Sequence, residues 1–416
     1  MASFPKRRVV VTGLGVISPL GTGIQENWDA LIHGKSGIDR ISKFDASRLD
    51  SQIAGEVRNC DINQYLSPKE TRRYDPFLHW GVAAAQLAME DAQLTVTDAL
   101  SERLGVIIGS GIGGLQSIVE TQHVIDERHP NRISPFFILQ AIGNTISGFV
   151  SIRYHAKGPN SCVVTACATG AHAIGDAFRH IQLGHADAMI AGGADAVICE
   201  LAVGGFCAMK ALSTQNDEPK KASRPFDKNR DGFVIAEGAG VLILEELELA
   251  KKRGAKICGE VIGYGMSGDA NHLTSPTPDG DGAARCMKIA IQDAEICPEE
   301  IDYINAHGTS TPAGDIAETN AIKKVFQSIA KTVSVSSTKS MTGHMLGAAG
   351  SAEAIYTLLA MQHGIIPPTI NLEDPDPACD LDYTPKHAKE KKMKTVLSNS
   401  FGFGGTNASL IFRSFS

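Results

Sequence analysis

Apolar residues fall along this chain in two alternating rhythms. Short aliphatic and β-branched runs lie at 7–18, 104–108, 162–166, 239–245, 301–305, 333–336 and 396–400, and a last one ends near Phe412. Runs of this length read as strands, and near-continuous hydrophobicity reads as burial on both faces. Between them lie longer stretches with apolar positions at helical spacing: 79–92, 283–294, and one from about Thr342 to His363. Ser67-Pro68-Lys69-Glu70 opens a further helix with a capping box and a proline at its first position. Strands alternating with helices predict an α/β fold.

Two junctions share a finer pattern. The run 162–166 feeds a helix that opens at or just after Cys167, and the run 333–336 feeds one that opens around His344. Cys167 and His344 each precede a glycine by three positions, Gly170 and Gly347. This predicts a duplication with halves 1–258 and 259–416, facing one another so that Cys167 and His344 meet at paired helix starts. A polar, turn-rich connector at 223–233 lies between the two junctions, with Lys210 on its near side.

Composition narrows the class. The chain has 416 residues, 43% hydrophobic and 20% charged, with 42 glycines, as expected of an α/β protein with many tight turns. Its formal charge of −7 argues against broad nucleic-acid binding. Nine cysteines, an odd number without a C-x-x-C, point to a reducing compartment, and the absence of H-E-x-x-H leaves a structural zinc site little support. The basic segment before Val9 is too short for a secretion signal, and no apolar segment approaches about 20 residues. A soluble cytoplasmic protein that neither spans a membrane nor binds nucleic acid is expected.

Three features carry candidate chemistry. A thiol at the start of a helix meets free N–H groups and the positive end of the dipole, which favour thiolate; the alternative for Cys167 is an inert buried cysteine. The strand 104–108 runs into Gly109-Ser110-Gly111-Ile112-Gly113-Gly114, which satisfies G-x-G-x-x-G. Only Asp126 and Glu127 stand near the place of a ribose-binding acid, and slightly early, so close backbone approach to something else competes with nucleotide binding. The glycines of 401–407 expose backbone N–H groups suited to an oxyanion. With histidines at His307 and His344, acyl transfer from a thioester is the natural class. Two neutral imidazoles add the means to stabilise an enolate, as loss of carbon dioxide from a malonyl group requires. Lys339 stands near His344, with Glu318 as its expected acidic partner. Lys69, Arg72 and Arg73 form either a dock for an acidic partner or a solvated helix face.

The motifs Thr165-Ala166-Cys167-Ala168-Thr169-Gly170, Asn305-Ala306-His307-Gly308-Thr309, Ser337-Thr338-Lys339-Ser340-Met341-Thr342-Gly343-His344 and 399–407 together resemble the elongating β-ketoacyl-[acyl carrier protein] synthases, the synthase II branch above all. The resemblance covers nearly the whole chain. It implies a thiolase fold, two duplicated halves in an αβαβα stack of five layers, working as a homodimer. It implies that Cys167 takes the acyl chain, that His307 and His344 promote decarboxylation, and that Lys339 and Glu318 organise them. Backbone N–H groups of Cys167 and Phe403 would form the oxyanion hole, with Phe403 also a gate. Thr309, Thr311 and Phe401 would meet the phosphopantetheine-borne substrate, and Ile112 would limit chain length. Lys69, Arg72, Arg73 and Lys210 would dock acyl carrier protein. No organic cofactor is implied; Na+ or K+ near Asn305, Glu353, Ser398 and Asn399 is compatible with the family. A polyketide ketosynthase shares the same triad. A non-catalytic partner subunit or a dinucleotide-binding oxidoreductase are the readings from other classes.

Overall fold

The computed structural model describes residues 7–415; the rest of the basic lead-in, 1–6, lies outside them. Ten strands form one continuous path: β1 (Val9–Ser18), β2 (Leu104–Gly109), β3 (Asn160–Ser161), β4 (Ala188–Asp195), β5 (Gly238–Glu246), β6 (Gly259–Gly268), β7 (Tyr303–Asn305), β8 (Ser334–Ser336), β9 (Thr395–Gly402) and β10 (Thr406–Arg413). An eleventh, Gly21–Thr22, folds back on β1. Outward from the centre one arm runs β1-β5-β4-β2-β3 and the other β6-β10-β9-β7-β8. In each arm the inner pairings are antiparallel and the two outer ones parallel. Each strand of the first arm thus has a mate five strands later in the second. The arms join where β1 meets β6, with Val9 opposite Val261.

Five helices complete the layers: α1 (Pro76–Ala92), α2 (Thr169–Gln182), α3 (Asp281–Asp293), α4 (Pro312–Phe326) and α5 (Ala349–His363). α2 packs on β4 and β2, α5 on β9 and β5, and the two helices pack on each other between the arms. α1 covers the far side of β1 and β5, while α3, flanked by α4, covers that of β6 and β10. The result is an αβαβα stack, the thiolase fold. α5 is buried from Ala349 to Met361, which a helix can be only when apolar or small residues surround its whole circumference. Glycine brings the two central helices together at their starts. A Cβ on Gly170 would lie 2.7 Å from the backbone nitrogen of Ser351, and one on Gly350 would lie 2.9 Å from that of Ala171.

That contact corrects the register of the repeat. α2 is entered through a 3-10 turn, Ala166–Ala168, and α5 through its mate, Leu346–Ala348. Ala166 and Leu346 open these turns with φ of 49° and 50°. Cys167 is therefore matched by Gly347, not by His344, which lies one helical turn earlier. The run 162–166 also departs from expectation. Only Asn160–Ser161 pairs as a strand, and Val164 is 63% exposed. The run follows β3, the outermost strand of the sheet, where no further strand among the described residues pairs. Apolar content alone does not distinguish such an edge from a central strand.

Candidate active site

A cavity of about 540 Å³ opens where the two arms meet, and Cys167, His307, His344, Ile112, Phe401 and Phe403 all line it. Each side chain arrives on a short, heavily pinned turn. The Cys167 turn is held from both sides: the N–H of Thr165 donates to Thr169 Oγ1 (2.9 Å), and Thr165 Oγ1 pairs with His172 Nδ1 (2.8 Å). The carbonyl of Thr165 accepts from Thr406 Oγ1 (3.0 Å), which ties the nucleophile turn to the 401–407 loop. That loop approaches so closely that a Cβ on Gly402 would stand 2.6 Å from the Thr165 carbonyl oxygen.

The electrostatics of Cys167 differ from the sequence expectation. Burial pushes the thiol up to about 12, against the opposing pull of Lys339 and of the backbone N–H groups of Phe403 and Cys167 itself. The helix start is present, but desolvation of the charged form outweighs it. Cys167 rests as a thiol, with the same two N–H groups near enough to favour its charged form, and donors so placed can also hold an oxyanion. Alkylation of Cys167 by iodoacetamide should therefore keep rising with pH between 7 and 10 (about tenfold per unit, as thiolate fraction does); a plateau near pH 8, measured by intact mass against time, would contradict this.

The two histidines lie with ring centroids 5.4 Å apart and planes at 86°. His344 is placed by backbone pairing with the end of the connector: its N–H donates to Val234 (2.8 Å), and its carbonyl accepts from Ala236 (2.9 Å). His307 packs against Phe401, ring centroids 5.6 Å apart. Burial first, and the nearby Lys339 second, hold both imidazoles well below the usual histidine range, so both are neutral at pH 7. Neither ring nitrogen of His344, nor Nδ1 of His307, has a hydrogen-bond partner among the described residues.

The acids are distributed differently from the expected pairing. Lys339, 1% exposed, pairs with Glu353 and not with Glu318. Burial raises the Glu353 carboxyl to about 7 even so. Glu318 instead accepts the backbone N–H groups of His307 (2.9 Å) and Gly308 (2.7 Å), and the amide of Asn399 (3.2 Å). It positions the histidine through its backbone. Thr309 and Thr311, their hydroxyls 3.0 Å apart, line the cavity mouth together with Lys210. Their turn is fixed by buried Arg230, which donates to the carbonyls of Thr311 (3.0 Å) and Pro312 (2.7 Å).

The glycine motif holds an anion, and the anion is internal. Ser110 Oγ (2.7 Å) and the N–H groups of Gly111 (2.9 Å) and Ile112 (3.3 Å) donate to the carboxylate of Asp195 at the end of β4. A phosphate cradle is thereby filled by the chain's own side chain.

Comparison with known proteins settles the family. The model of the β-ketoacyl synthase N-terminal domain matches residues 6–250, and that of its C-terminal domain matches 258–373. The chain belongs to the β-ketoacyl synthase family. A 3-oxoacyl-[acyl-carrier-protein] synthase 2 of Coxiella burnetii is 55% identical over 98% of both chains. One of Synechocystis is 52% identical over the full length of both. Among solved structures, a type II polyketide ketosynthase in complex with its acyl-carrier protein superposes with a TM-score of 0.92 at 38% identity, covering 99% of this chain and all of that one. A β-ketoacyl synthase from Burkholderia phymatum gives 0.91 at 37% identity, with the same coverage.

For this ketoacyl synthase, the outlying basic residues are less concentrated than the sequence suggests. The capped helix Pro68–Thr71 has one turn; Lys69 and Arg72 are exposed, while Arg73 stacks 4.5 Å over the ring of Phe136. Sequence reasoning missed Asp195, Arg230 and Thr165 as parts of the site's frame. Asp195 meets Gly111 across 84 positions and Arg230 meets Thr311 across 81, separations that no local pattern signals.

Proposed function

We propose that the chain catalyses the decarboxylative Claisen condensation that elongates fatty acids on acyl carrier protein. The observation that carries this reading is one cavity holding Cys167, two neutral histidines and two convergent backbone N–H groups. The Cys167 sulfur attacks the thioester carbonyl of an acyl-loaded carrier, its proton leaving to an unpaired imidazole nitrogen, and the N–H groups of Cys167 and Phe403 hold the oxyanion. The carrier thiol departs, protonated by the same imidazole, and leaves the acyl chain on sulfur. A malonyl-loaded carrier then enters past Thr309 and Thr311. Its C–C bond breaks to release carbon dioxide, and the electron pair forms an enolate held by His307 and His344. The enolate carbon attacks the acyl-enzyme carbonyl, which expels the Cys167 thiolate and frees a β-ketoacyl product two carbons longer; the thiolate then takes a proton from water to restore the thiol.

Identity of 55% to a synthase 2, against 38% to the polyketide ketosynthase, favours fatty acids over polyketides. Acyl carrier protein is the partner, with Lys69, Arg72, Arg73 and Lys210 as its dock. A homodimer is supported by the open sheet edge at β3, beyond which Val164 is exposed, and by the exposed apolar side chains of Ile138 and Ile142. Asn305 Oδ1, Glu353 Oε2 and Ser398 Oγ are buried oxygens without hydrogen-bond partners among the described residues, and Asn305 and Ser398 are opposed across β7 and β9. This all-oxygen set fits Na+ or K+, which when bound would offset the charge of Glu353. The side chain of Asn399 is already committed, to Glu318 and Ser409. All nine cysteines are free, which supports a cytoplasmic location. Among the described residues no helix is long and apolar enough to cross a membrane.

Intact mass after incubation with octanoyl-carrier protein should show one acyl adduct, mapped to Cys167 and discharged as β-ketodecanoyl product when malonyl-carrier protein is added. An adduct that malonyl-carrier protein leaves in place would refute the condensation.

A further inference from the structure

The glycine motif at 109–114 binds no ligand in the reaction above, yet it is built as an anion site. Its occupant, the Asp195 carboxyl, is fully buried, which pushes it above the usual carboxylate range, and what holds its charged form is a set of neutral donors: Ser110 Oγ, the N–H groups of Gly111 and Ile112, and the N–H of Gly347 (2.6 Å). Gly347 belongs to the turn Leu346–Ala348 that enters α5, and Leu346 and Ile112 both line the cavity beside Cys167. One carboxylate therefore fastens two apolar walls of the cavity, from the two arms of the fold, to the end of β4. The packing around it leaves no slack. A Cβ on Gly347 would lie 2.6 Å from Asp195 Oδ2, and one on Gly111 2.9 Å from the same oxygen. Ser110 extends the network by accepting the N–H of Gly113 (2.9 Å).

We propose that Asp195 is a positioning residue that sets acyl-chain length, by holding Ile112 and Leu346 in the cavity wall. This rests on the condensing function proposed above. Ile112 lines the cavity and is 40% exposed, so an acyl chain that outgrows the space along this wall would press on it. Displacing Ile112 draws the N–H groups of Gly111 and Ile112 away from a buried carboxylate, which then keeps only Ser110 Oγ and the Gly347 N–H. Leaving a buried charge short of donors is expensive, so the wall resists long chains more than its own bulk would. An asparagine at this position presents one oxygen and an NH2 group to the same set of N–H donors. It satisfies fewer of them and sets one donor against another, so the wall gives way more easily.

The test is the chain-length profile of the full-length enzyme, as kcat/KM for palmitoyl- against octanoyl-carrier protein with malonyl-carrier protein as extender. For Asp195→Asn the ratio should rise about tenfold or more, the scale on which apolar pockets discriminate by small changes in fit. Because Asp195 acts through the wall, the shift should shrink in an Ile112→Ala background, where only Leu346 remains to be held. A uniform loss across all chain lengths would overturn the proposal, since that is what a merely structural role produces. So would a shift that persists undiminished in Ile112→Ala. Should Asp195→Asn fail to fold, Ser110→Ala removes one donor and keeps the carboxylate. It should move the ratio the same way by a smaller factor, and an unchanged ratio there refutes the proposal. A wild type that elongates no acyl chain at all would sink the condensing function instead; a wild type that elongates, with variants of unaltered profile, sinks this inference alone.

Discussion

Cys167→Ser is expected to lower β-ketoacyl product formation by about 10³-fold or more, the scale seen when a nucleophile is removed, while leaving the unfolding midpoint nearly unchanged. The hydroxyl fills the same space at the start of α2 and meets the same N–H groups of Cys167 and Phe403. What it lacks is acidity and nucleophilicity. The cavity already pushes the thiol up to about 12 by burial, so its environment lends little to a group harder still to ionise. The loss should fall on acyl loading. Release of carbon dioxide from malonyl-carrier protein draws on His307 and His344, not on sulfur, and should survive in the variant. Product formation within tenfold of wild type would mean that Cys167 is not the group acylated, and loss of both reactions together would mean that the substitution deforms the cavity.

The parts of this site that could be read from sequence are those whose signal is local. Cys167, His307, His344 and the 401–407 loop each follow an apolar run through small residues, a local pattern that an α/β sheet turns into loops on one side. The G-x-G-x-x-G at 109–114 was legible as a close approach to backbone, but not as a cradle for Asp195, because the carboxylate comes from a strand 84 positions away. Glu353 was visible as an oxygen donor and hidden as the partner of Lys339. Glu318 lies nearer to His307 in sequence, but α4 aims it at the backbone of His307 and Gly308, whereas α5 carries Glu353 to the lysine. The thiolate expected at Cys167 fails for a related reason. A helix start is a local feature, and desolvation is a property of everything packed around it. The repeat was seen one turn out of register because a three-residue spacing to glycine recurs by composition in a glycine-rich chain; only the close contact of Gly170 and Gly350 with the opposite helix identifies the true mates.

The buried pair of Lys339 and Glu353 carries the other large effect. Lys339→Met should destabilise the protein by about 3–5 kcal/mol in denaturant titrations, the cost of removing one partner of a buried ion pair. Both side chains are nearly inaccessible, so Glu353 would be left to bury its charge alone or to take up a proton, and its carboxyl already stands at about 7 through burial. Replacing both, Lys339→Met with Glu353→Leu, should recover part of that loss, because no unpaired charge then remains. The catalytic consequence has a definite sign. After burial, Lys339 is the next largest influence holding His307 and His344 below the usual histidine range. Removing its charge raises both, so the imidazoles protonate at a higher pH, and the acid limb of the condensation profile should move upward toward neutrality. In the wild type the same rate should stay flat as pH falls through 6.5, since a depressed imidazole remains neutral there. A Lys339→Met enzyme with an unmoved acid limb and a stability loss under about 1 kcal/mol would show that the lysine is neither the electrostatic governor of the histidines nor a buried partner of Glu353.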